Sequence, residues 1–356
     1  MAFRPPGPTN VFVPSPDATG QVISFSRDPK KFALPRYVQY ADVDKLVGIY
    51  TKLDPKQSVR WINSAQAKWT RGAVRPMHEN NQSLFEYLEY RTQRSDYGFT
   101  LPYEVEAQAS WKVKAHNAAM VLSQAMTDRT KETYDFISTA ANWEGNTAAC
   151  VDLSGGGKWD QASNNQASPY YLAIKKSINR AILRILKKTN GLVDRSDLRI
   201  VIGPGMAQAI SETDEIRDML KQSQFANKEV YDQHSGLNAI YNLPEKLYGL
   251  DLVVENSTIA ADDVDGPDDE QRFIWDDDTV VFACQPGGID GGPAQEGTFS
   301  TFTFYFYEQL TVESFDDARN RRIEGHVVDD RVVKMTAAAS GFLLTECLAG
   351  DDASDV

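Results

Sequence analysis

The side chains that could perform catalysis are scattered along the chain and form no recognised catalytic motif. The four histidines fall in four different predicted elements: His78, His116, His234 and His326. A nucleophilic-serine elbow, an HExxH zinc motif, a CxxC pair and a kinase signature are all absent from the sequence. Acidic residues are plentiful, but a sequence alone does not pair two of them across a cleft. We therefore assign no catalytic, cofactor-binding or metal-binding residue, and no cofactor.

Two glycine-containing turns resemble phosphate-binding loops in part. Gly155–Gly157 precedes Lys158, but Trp159 stands where a phosphate loop needs a hydroxyl residue, and no apolar strand leads in. Gly203–Gly205 joins a predicted strand at 198–202 to a helix, an arrangement that can hold an anion at the helix N-terminus. It lacks the third glycine of a dinucleotide-binding turn. We interpret it as an ordinary strand–helix turn.

An acidic stretch spans residues 261–278. Its nine acidic residues are Asp262, Asp263, Asp265, Asp268, Asp269, Glu270, Asp276, Asp277 and Asp278. With Gly266 as the central glycine, a helix–loop–helix calcium site would begin at Ala261 and end at Arg272, so its first and last ligands are missing. We interpret the stretch as a solvated acidic loop. A loose divalent-ion site at a subunit contact stays open as an alternative.

Charge is distributed unevenly along the 356 residues, whose net charge is −13. Residues 251–356 carry 24 acidic and 6 basic residues, a net of −18. Residues 1–250 carry 26 acidic and 31 basic residues, a net of +5. Acidic surface disfavours a sequence-reading DNA-binding protein. Opposite charges on two parts of one chain suit head-to-tail self-assembly, although simple solubility explains them equally well.

Other compositional features place the chain among soluble globular proteins. Three widely spaced cysteines, Cys150, Cys284 and Cys347, fit a reducing compartment and argue against a disulfide framework or a zinc site. No apolar run approaches the roughly 18 residues of a membrane span. The first 20 residues contain no continuous apolar segment of the kind found in secretory signals.

The N-terminal third predicts two extended excursions. Residues 1–35 form an extended arm because prolines remove backbone donors and fix φ: Pro5, Pro6, Pro8, Pro14, Pro16, Pro29 and Pro35. Residues 59–68 and 84–92 are rich in strand-forming residues and flank a polar tip, which predicts a long hairpin. Trp61 and Trp69 in this hairpin either anchor a partner or pack on their own domain.

A long helix is predicted to begin after Pro102 and to run through Met126, with a continuation as far as Ile137. Glu104 and Glu106 complement the positive end of the helix dipole. The predicted apolar face follows helical spacing: Trp111, Ala115, Ala118, Leu122 and Ala125, with Ala119 and Met126 beside it.

The remaining elements alternate between helices and strands. Residues 169–188 predict a second helix, whose apolar face comprises Leu172, Ile178, Ile182, Ile185 and Leu186. Predicted strands lie at 198–202, 250–254, 279–284 and 299–310, followed by two β-rich runs within 311–335 around Arg319, Arg321 and Arg322, and by a closing segment at 337–348.

This order of elements is similar to that of the major capsid proteins of tailed bacteriophages, which have the Hong Kong 97-type fold. Three stretches carry the resemblance. Residues 111–137 resemble the spine helix, 198–220 with 246–257 resemble the axial strand–helix–strand core, and 312–348 resemble the long peripheral strands and the closing strand.

The resemblance implies an α+β, Hong Kong 97-like capsid fold with five parts. These are an N-terminal arm and lead-in (1–55), an extended E-loop hairpin (56–101), a peripheral domain with the spine helix (102–168), an α/β axial domain (169–300), and the peripheral long strands, closing strand and acidic tail (301–356).

The function implied is that of a non-enzymatic major head protein, which self-assembles into an icosahedral shell around double-stranded DNA. Implied partners are other copies in hexamers and pentamers, a portal protein, and packaged DNA held without sequence-specific contact; a decoration protein stays open. Because the body begins only about 35 residues after Met1, a separate scaffolding protein is also expected. The resemblance places the chain in the virion, after assembly in the host cytoplasm, and implies no membrane.

Two alternatives remain at this stage. An encapsulin-like nanocompartment shares the fold and encloses cargo enzymes. An unrelated α/β enzyme would use the carboxylates near 262–278. Some capsid proteins are also cross-linked through a lysine and an asparagine, for which Lys68 is a conceivable donor.

Overall fold

The computed structural model describes residues 13–14, 32–53, 71, 85–109, 112–222, 241, 243–260, 271–290 and 298–349. Several sequence-based predictions lie outside these ranges: most of the arm at 1–35, the strand at 59–68, Trp61, Lys68, Trp69, His78, Trp111, His234, residues 261–270 of the acidic stretch and the tail at 350–356.

The described residues form helices and strands in a mixed order. The helices are α1 (Tyr103–Gln108), α2 (Val113–Ser138), α3 (Cys150–Ser154), α4 (Ala173–Thr189), α5 (Pro204–Glu212) and α6 (Asp214–Gln222). The strands are β1 (Val13–Pro14), β2 (Val38–Asp42), β3 (Val47–Leu53), β4 (Phe85–Arg91), β5 (Gln93–Pro102), β6 (Thr147–Ala149), β7 (Leu198–Ile202), β8 (Lys246–Leu247), β9 (Leu250–Val254), β10 (Thr258–Ala260), β11 (Gln271–Phe273), β12 (Val280–Cys284), β13 (Ile289–Asp290), β14 (Thr298–Phe299), β15 (Phe302–Asp317), β16 (Arg322–Met335) and β17 (Phe342–Thr345).

A six-stranded sheet of order β6–β17–β12–β7–β9–β8 forms one half of the body. Its side chains alternate between two cores, as strand geometry requires. Ile200 and Phe282 enter a core beneath α4, while Val201 and Val281 enter a second core on the opposite face. That second core also contains large aromatic residues from other elements: Tyr37, Trp143, Trp275, Phe302, Phe304 and Phe306. Both faces of this sheet are therefore covered by the chain itself.

A long hairpin of β15 and β16 forms the other half, with sixteen and fourteen residues in its strands. All of strand β5 pairs antiparallel with β16, and β2 runs parallel to β15 on the other side of the hairpin. The alternation predicted for 299–310 is confirmed in part. Phe302, Phe304 and Phe306 are buried, whereas Tyr305 is half-buried and Tyr307 is exposed. Thr301 and Thr303, predicted on the other face, are buried as well. The hairpin turns at Arg319–Arg321, so two members of the predicted basic group lie at its tip.

The prediction of one helix from Pro102 onward is wrong at its start. Residues after Pro102 form the short helix α1, the backbone is extended at Ala109, and α2 begins only at Val113. Helices in proteins depend on tertiary packing more than on propensity. No residue of α1 is buried, so packing does not stabilise a continuous helix from α1 into α2. The continuation to Ile137 is confirmed.

The predicted apolar face of this helix is partly correct. Leu122, Ala125 and Met126 are buried against the long hairpin, and Ala118 is buried as well. Ala115 is half-buried and Ala119 is exposed, whereas Val121 joins the buried face. The second helix was predicted four residues early, because Leu172 adopts a left-handed conformation and α4 starts after it. Its predicted end is confirmed by the left-handed Asn190 and by Gly191.

The shorter strand predictions hold closely. Strands β7 and β9 occupy the predicted ranges, and β12 begins one residue later than predicted. The closing segment forms β17, which joins the six-stranded sheet between β12 and β6. That sheet thus draws strands from 147–149 and 342–345 as well as from 198–284.

Candidate assembly surface

A two-stranded ribbon of β3 and β4 stands apart from both large sheets. The strands pair antiparallel over seven residues, from Val47 opposite Arg91 to Leu53 opposite Phe85. The strand predicted at 84–92 is confirmed as β4. Its partner among the described residues is β3, which lies in the lead-in at 1–55.

The inner face of this ribbon packs on the long hairpin through tyrosines. The Tyr90 ring stacks on Tyr305 of β15 at a centroid distance of 5.2 Å and an interplanar angle of 11°, and Tyr50 lies 5.8 Å from the same ring. Gly48 faces Tyr90 across the ribbon, where an added Cβ would come within 2.6 Å of the tyrosine oxygen. A side chain at 48 would therefore displace the Tyr90 ring from this position.

The outer face of the ribbon carries exposed apolar side chains beside two charged ones. Val47, Ile49 and Tyr87 are 55%, 68% and 63% exposed. Val47 and Ile49 point away from the body because they alternate with Gly48 and Tyr50, and Tyr87 shares their face because it lies opposite Thr51. The exposed Glu89 and Arg91 lie on the same face, opposite Ile49 and Val47. Exposed apolar side chains gathered on one face mark an interaction surface more often than isolated ones do. We call Val47, Ile49 and Tyr87 the outer ribbon face.

Backbone and ionic contacts fix the base of the ribbon. The Leu53 N–H donates to the Thr336 carbonyl at 2.8 Å, and the Thr92 N–H donates to the Leu46 carbonyl at 2.9 Å. Lys52 lies 3.6 Å from the Glu86 carboxylate and also pairs with Glu144. Because its inner face and base are fixed, the ribbon presents its outer face in a defined direction.

Buried ion pairs fasten α2 to the long hairpin. Arg129 and Asp329 are both fully buried, and the Arg129 Nη2 lies 2.8 Å from each carboxylate oxygen of Asp329. Arg331 joins them through a 2.6 Å contact to Asp329 and reaches Asp128 and Glu132 on α2. Burial alone would lower the pKa of Arg331, but the Asp329 and Glu132 carboxylates outweigh it and raise that pKa.

These ion pairs connect residues about 200 positions apart in sequence, so sequence patterns could not reveal them. Removing one partner from such a cluster leaves an uncompensated buried charge. The helix and the hairpin therefore behave as one rigid unit behind the ribbon.

A third set of contacts holds the segment 32–42 against the six-stranded sheet. Glu255, at the end of β9, is fully buried and accepts hydrogen bonds from the Ala33 N–H at 3.2 Å and from the Ser257 hydroxyl at 2.6 Å. Burial raises the pKa of Glu255 to about 7, although these hydrogen bonds oppose the shift.

Both glycine-containing turns have structural roles. Gly155 and Gly156 end α3 with positive φ. At the start of α5, the Gly205 N–H donates to the Asp277 carboxylate at 2.8 Å, and an added Cβ at 205 would lie 2.3 Å from that carboxyl group. The anion position at this helix N-terminus is thus filled by a side chain of the chain itself.

The structure also places the described histidines and all three cysteines. His326 lies 2.9 Å from Asp96, His116 is on α2, and Cys150, Cys284 and Cys347 are free and buried. Within the described ranges, no group of histidines, cysteines and carboxylates is placed to hold a metal ion. Among the described helices, none combines the length and hydropathy that a membrane span requires.

Comparisons with known proteins relate the chain to others through its fold. No family model and no curated protein sequence matches it. A phage-related protein of Bordetella bronchiseptica is similar in structure, with a TM-score of 0.61, 14% identity, and coverage of 95% of this chain and 99% of that one. The mature capsid of bacteriophage PhiM1 follows with a TM-score of 0.51, 10% identity, and coverage of 88% and 86%. The chain therefore has a mixed helix-and-sheet fold of the kind found in a phage capsid, which confirms the predicted α+β class.

Proposed function

We propose that this chain is a major capsid protein, which self-assembles into an icosahedral shell enclosing double-stranded DNA. The fold likeness spans nearly the whole of a phage-related protein and most of a phage capsid subunit, so the comparison does not rest on a common small motif. The observation that carries the proposal is the outer ribbon face, which is apolar, exposed and held in place by contacts on its other side.

In this proposal each structural unit has a role in the shell. The ribbon is the stem of an E-loop that laps over a neighbouring subunit, and α2 is the spine helix of a peripheral domain. Strands β7, β8, β9 and β12 of the six-stranded sheet belong to an axial domain near the centre of a hexamer or pentamer, and β6 and β17 join that sheet from the peripheral parts of the chain. The five-part division at 55, 101, 168 and 300 is part of the proposal, and β3, in the lead-in, pairs with the E-loop strand β4 across its first boundary.

The proposed partners follow from the same role. A second copy of the chain covers the outer ribbon face. A portal protein, a separate scaffolding protein and packaged DNA complete the particle, which forms in the host cytoplasm and becomes the virion. The role is structural, and the carboxylates near 262–278 have no catalytic part in it.

The outer ribbon face suits a second copy for an energetic reason. Burying an apolar side chain of this size contributes about 1.5–3 kcal/mol relative to leaving it exposed. Three such residues on each subunit, repeated around a closed shell, supply a favourable term at every contact. A shell needs this repetition because each contact orders two subunits and so costs entropy.

Electron microscopy of the purified protein tests the proposal. We expect closed particles of uniform size from the unmodified chain, alone or with its scaffolding protein. We expect the double substitution Ile49→Asp/Tyr87→Ser to abolish particles, because charged and polar groups would replace the apolar centre of the contact. Its folding should be unchanged, since both side chains are exposed in the subunit.

A matched control separates this effect from a general loss of apolar surface. Leu192→Asp/Phe273→Ser also replaces one exposed aliphatic and one exposed aromatic residue, at 47% and 43% exposure, away from the ribbon. We expect this variant to form particles. Equal loss of particles in both variants, or a subunit that stays monomeric under every assembly condition, would contradict the proposal.

The content of native particles tests the second half of the proposal. DNA that resists nuclease until the particles are opened is the expected result. Particles that contain protein cargo and no protected DNA would instead indicate an encapsulin-like nanocompartment, and would leave the shell-forming role intact.

A further inference from the structure

Helix α4 carries an unusual concentration of positive charge for so acidic a chain. Its seventeen residues, Ala173–Thr189, include no aspartate or glutamate. Its bases are Lys175, Lys176, Arg180, Arg184, Lys187 and Lys188. At about 100° per residue, the first five of these fall within one half of the helix circumference. We call Lys175, Lys176, Arg180, Arg184 and Lys187 the α4 basic face.

The opposite half of the helix explains why this face points outward. Ile174, Ile178, Ile182 and Ile185 are buried in the core under the six-stranded sheet. The helix is therefore locked in rotation by its apolar side. Over about 18 Å of helix, the basic face has no freedom to turn inward.

The charges of this face are not neutralised by salt bridges within the described part of the chain. Elsewhere, several described carboxylates are paired with bases: Asp251 with Lys246, Asp329 with Arg129, and Glu132 with Arg331. None of the five bases of the α4 basic face forms a salt bridge with a described carboxylate.

The acid nearest the start of α4 is already engaged. Glu215 acts electrostatically on Lys175, but it is buried and accepts hydrogen bonds from the N–H groups of Ile174 at 3.2 Å and Lys175 at 3.0 Å. Its charge stabilises the helix N-terminus, where the dipole favours an anion. Glu215 therefore does not neutralise the four bases further along the helix, which are Lys176, Arg180, Arg184 and Lys187.

Neutral contacts support the side chains of the basic face without removing their charge. Arg180 donates to the Leu153 carbonyl at 2.5 Å. The Arg184 guanidinium lies 5.6 Å from the Phe342 ring centroid, and the Lys176 ammonium lies 5.4 Å from that of Tyr171. Such contacts with carbonyls and ring faces orient a cation at low cost in side-chain entropy. The result is a positioned row of cations on a rigid helix.

We propose that the α4 basic face binds the phosphate backbone of the packaged double-stranded DNA, and hence that α4 faces the interior of the shell. This inference rests on the proposed capsid function and adds a surface and an orientation to it. Lysine and arginine contacts to phosphates carry no sequence information, so they suit DNA of any sequence.

The composition of the face favours DNA over a second copy of the chain. A protein interface usually has an apolar centre and a total buried area of about 1,600 Å². Here Leu183 is the only large apolar side chain exposed on the solvent half of α4. A row of bases with one leucine matches a polyanion better than it matches a protein surface.

A duplex-binding assay measures the proposed contact directly. Full-length protein in the Ile49→Asp/Tyr87→Ser background, which is expected not to assemble, is titrated onto a short mixed-sequence DNA duplex. If all five bases contact phosphates, affinity should fall about 500-fold between about 50 and 200 mM salt. Replacing all five by glutamine should flatten the slope of log affinity against log salt concentration by up to about 4.5, at about 0.9 per phosphate contact.

A control variant removes the same amount of charge elsewhere. Lys45, Arg94, Lys112, Arg272 and Arg319 are all exposed and lie outside α4. Their replacement by glutamine should leave most of the slope in place. Because Lys175, Lys176, Arg180 and Arg184 also contact neighbouring residues, Lys187→Gln serves as a milder variant that should flatten the slope by about 0.9. Equal slopes in the α4 and control variants would overturn the inference.

Particles separate this inference from the proposed function. In the assembling background, the α4 variant should form shells as readily as the control but retain less nuclease-protected DNA. If the α4 variant alone fails to form shells, the face is a contact between copies and the inference is wrong. If no variant and no unmodified protein forms shells, the proposed function fails, while the duplex assay still decides whether the face binds DNA.

Discussion

The six-stranded sheet has both of its faces buried within the chain, whereas the β3–β4 ribbon has only one face buried. Each central strand of the sheet sends alternate side chains into two cores, so that Val280–Cys284 is buried at all five positions. The ribbon buries the tyrosines of its inner face and Leu53 at its base, and leaves Val47, Ile49 and Tyr87 exposed. The chain itself covers both faces of the sheet, but it leaves the outer face of the ribbon uncovered.

This difference indicates which parts of the chain fold alone and which act on a neighbour. A two-stranded ribbon is marginally stable in water unless its apolar face is covered. Here the inner face is covered by Tyr305, and the outer face exposes three apolar side chains, which a second copy covers in the proposed shell. Substitutions in the sheet should therefore change stability, and substitutions on the outer ribbon face should change assembly.

The largest expected effect is a truncation in the centre of the sheet. Phe282→Ala removes a fully buried ring that lies on β12 between β17 and β7. We expect the free energy of unfolding, measured by chemical denaturation, to fall by about 3–5 kcal/mol because a cavity replaces the ring. The matching truncation Tyr87→Ala should change it by less than about 0.5 kcal/mol, as is usual for an exposed position. Similar losses at the two positions would remove the distinction between sheet and ribbon.

A second prediction concerns the ion pairs that join α2 to the long hairpin. Arg129→Met leaves the Asp329 carboxylate buried with Arg331 as its remaining cation. We expect a loss of about 3 kcal/mol in the free energy of unfolding, because the pairing of a buried charge is reduced. Adding Asp329→Leu should restore part of that loss, since no buried charge then lacks its partner. A double variant as unstable as the sum of the single variants would show that the two side chains act independently.

The sheet and the helices were largely predictable because each follows a local pattern. The strands at 198–202 and 250–254 show continuous apolar runs, and the strand at 302–306 alternates phenylalanine with polar residues. These patterns depend on neighbours in sequence, which is why their ranges agree with the structure. Even so, the start of α2 was misplaced because the unburied α1 and the extended backbone at Ala109 have no apolar signature.

The candidate surfaces were less predictable because they depend on contacts between distant residues. Val47 and Ile49 alternate with Gly48 and Tyr50, a pattern that favours a strand with two different faces. That pattern does not say which face packs on Tyr305. The bases of α4 could be counted in the sequence, but their lack of salt bridges became visible only when the surrounding carboxylates had positions.

A third prediction uses the pH dependence of the contact between Glu255 and the segment 32–42. The pKa of Glu255 rises from the ordinary value of 4.5 to about 7 in the folded protein, mainly because the group is buried. The folded state then binds more protons than the unfolded state between these values. The stability that this group contributes is complete below about pH 4.5 and is lost as pH rises through about 7.

Glu255→Gln should abolish this dependence. At about pH 8 the variant should exceed the unmodified protein by about 2–3 kcal/mol in free energy of unfolding, while at about pH 4 the two should be similar. The glutamine oxygen can still accept the Ala33 N–H. Denaturation curves across this range provide the measurement, and an unchanged pH profile in the variant would assign the dependence to other groups, such as Glu215 and Asp277, whose pKa values burial also raises.

The smallest expected effect concerns the inner face of the ribbon. Tyr305→Ala removes the ring on which Tyr90 stacks and near which Tyr50 lies. We expect the global free energy of unfolding to fall by about 1 kcal/mol, the usual contribution of an aromatic pair. Hydrogen exchange should rise much more in β3 and β4 than in the six-stranded sheet, because only the ribbon loses its support.

Tyr307→Ala is the matched control, since Tyr307 lies on the same strand but is exposed. It should leave hydrogen exchange in the ribbon unchanged. Faster exchange in both variants would show that the effect is not specific to Tyr305. Unchanged exchange in Tyr305→Ala would mean that the tyrosine rings do not hold the ribbon. The backbone bond from the Leu53 N–H to the Thr336 carbonyl would then be its main attachment. In that case the outer face would be free to change direction, and a neighbouring subunit would have to fix it as well as cover it.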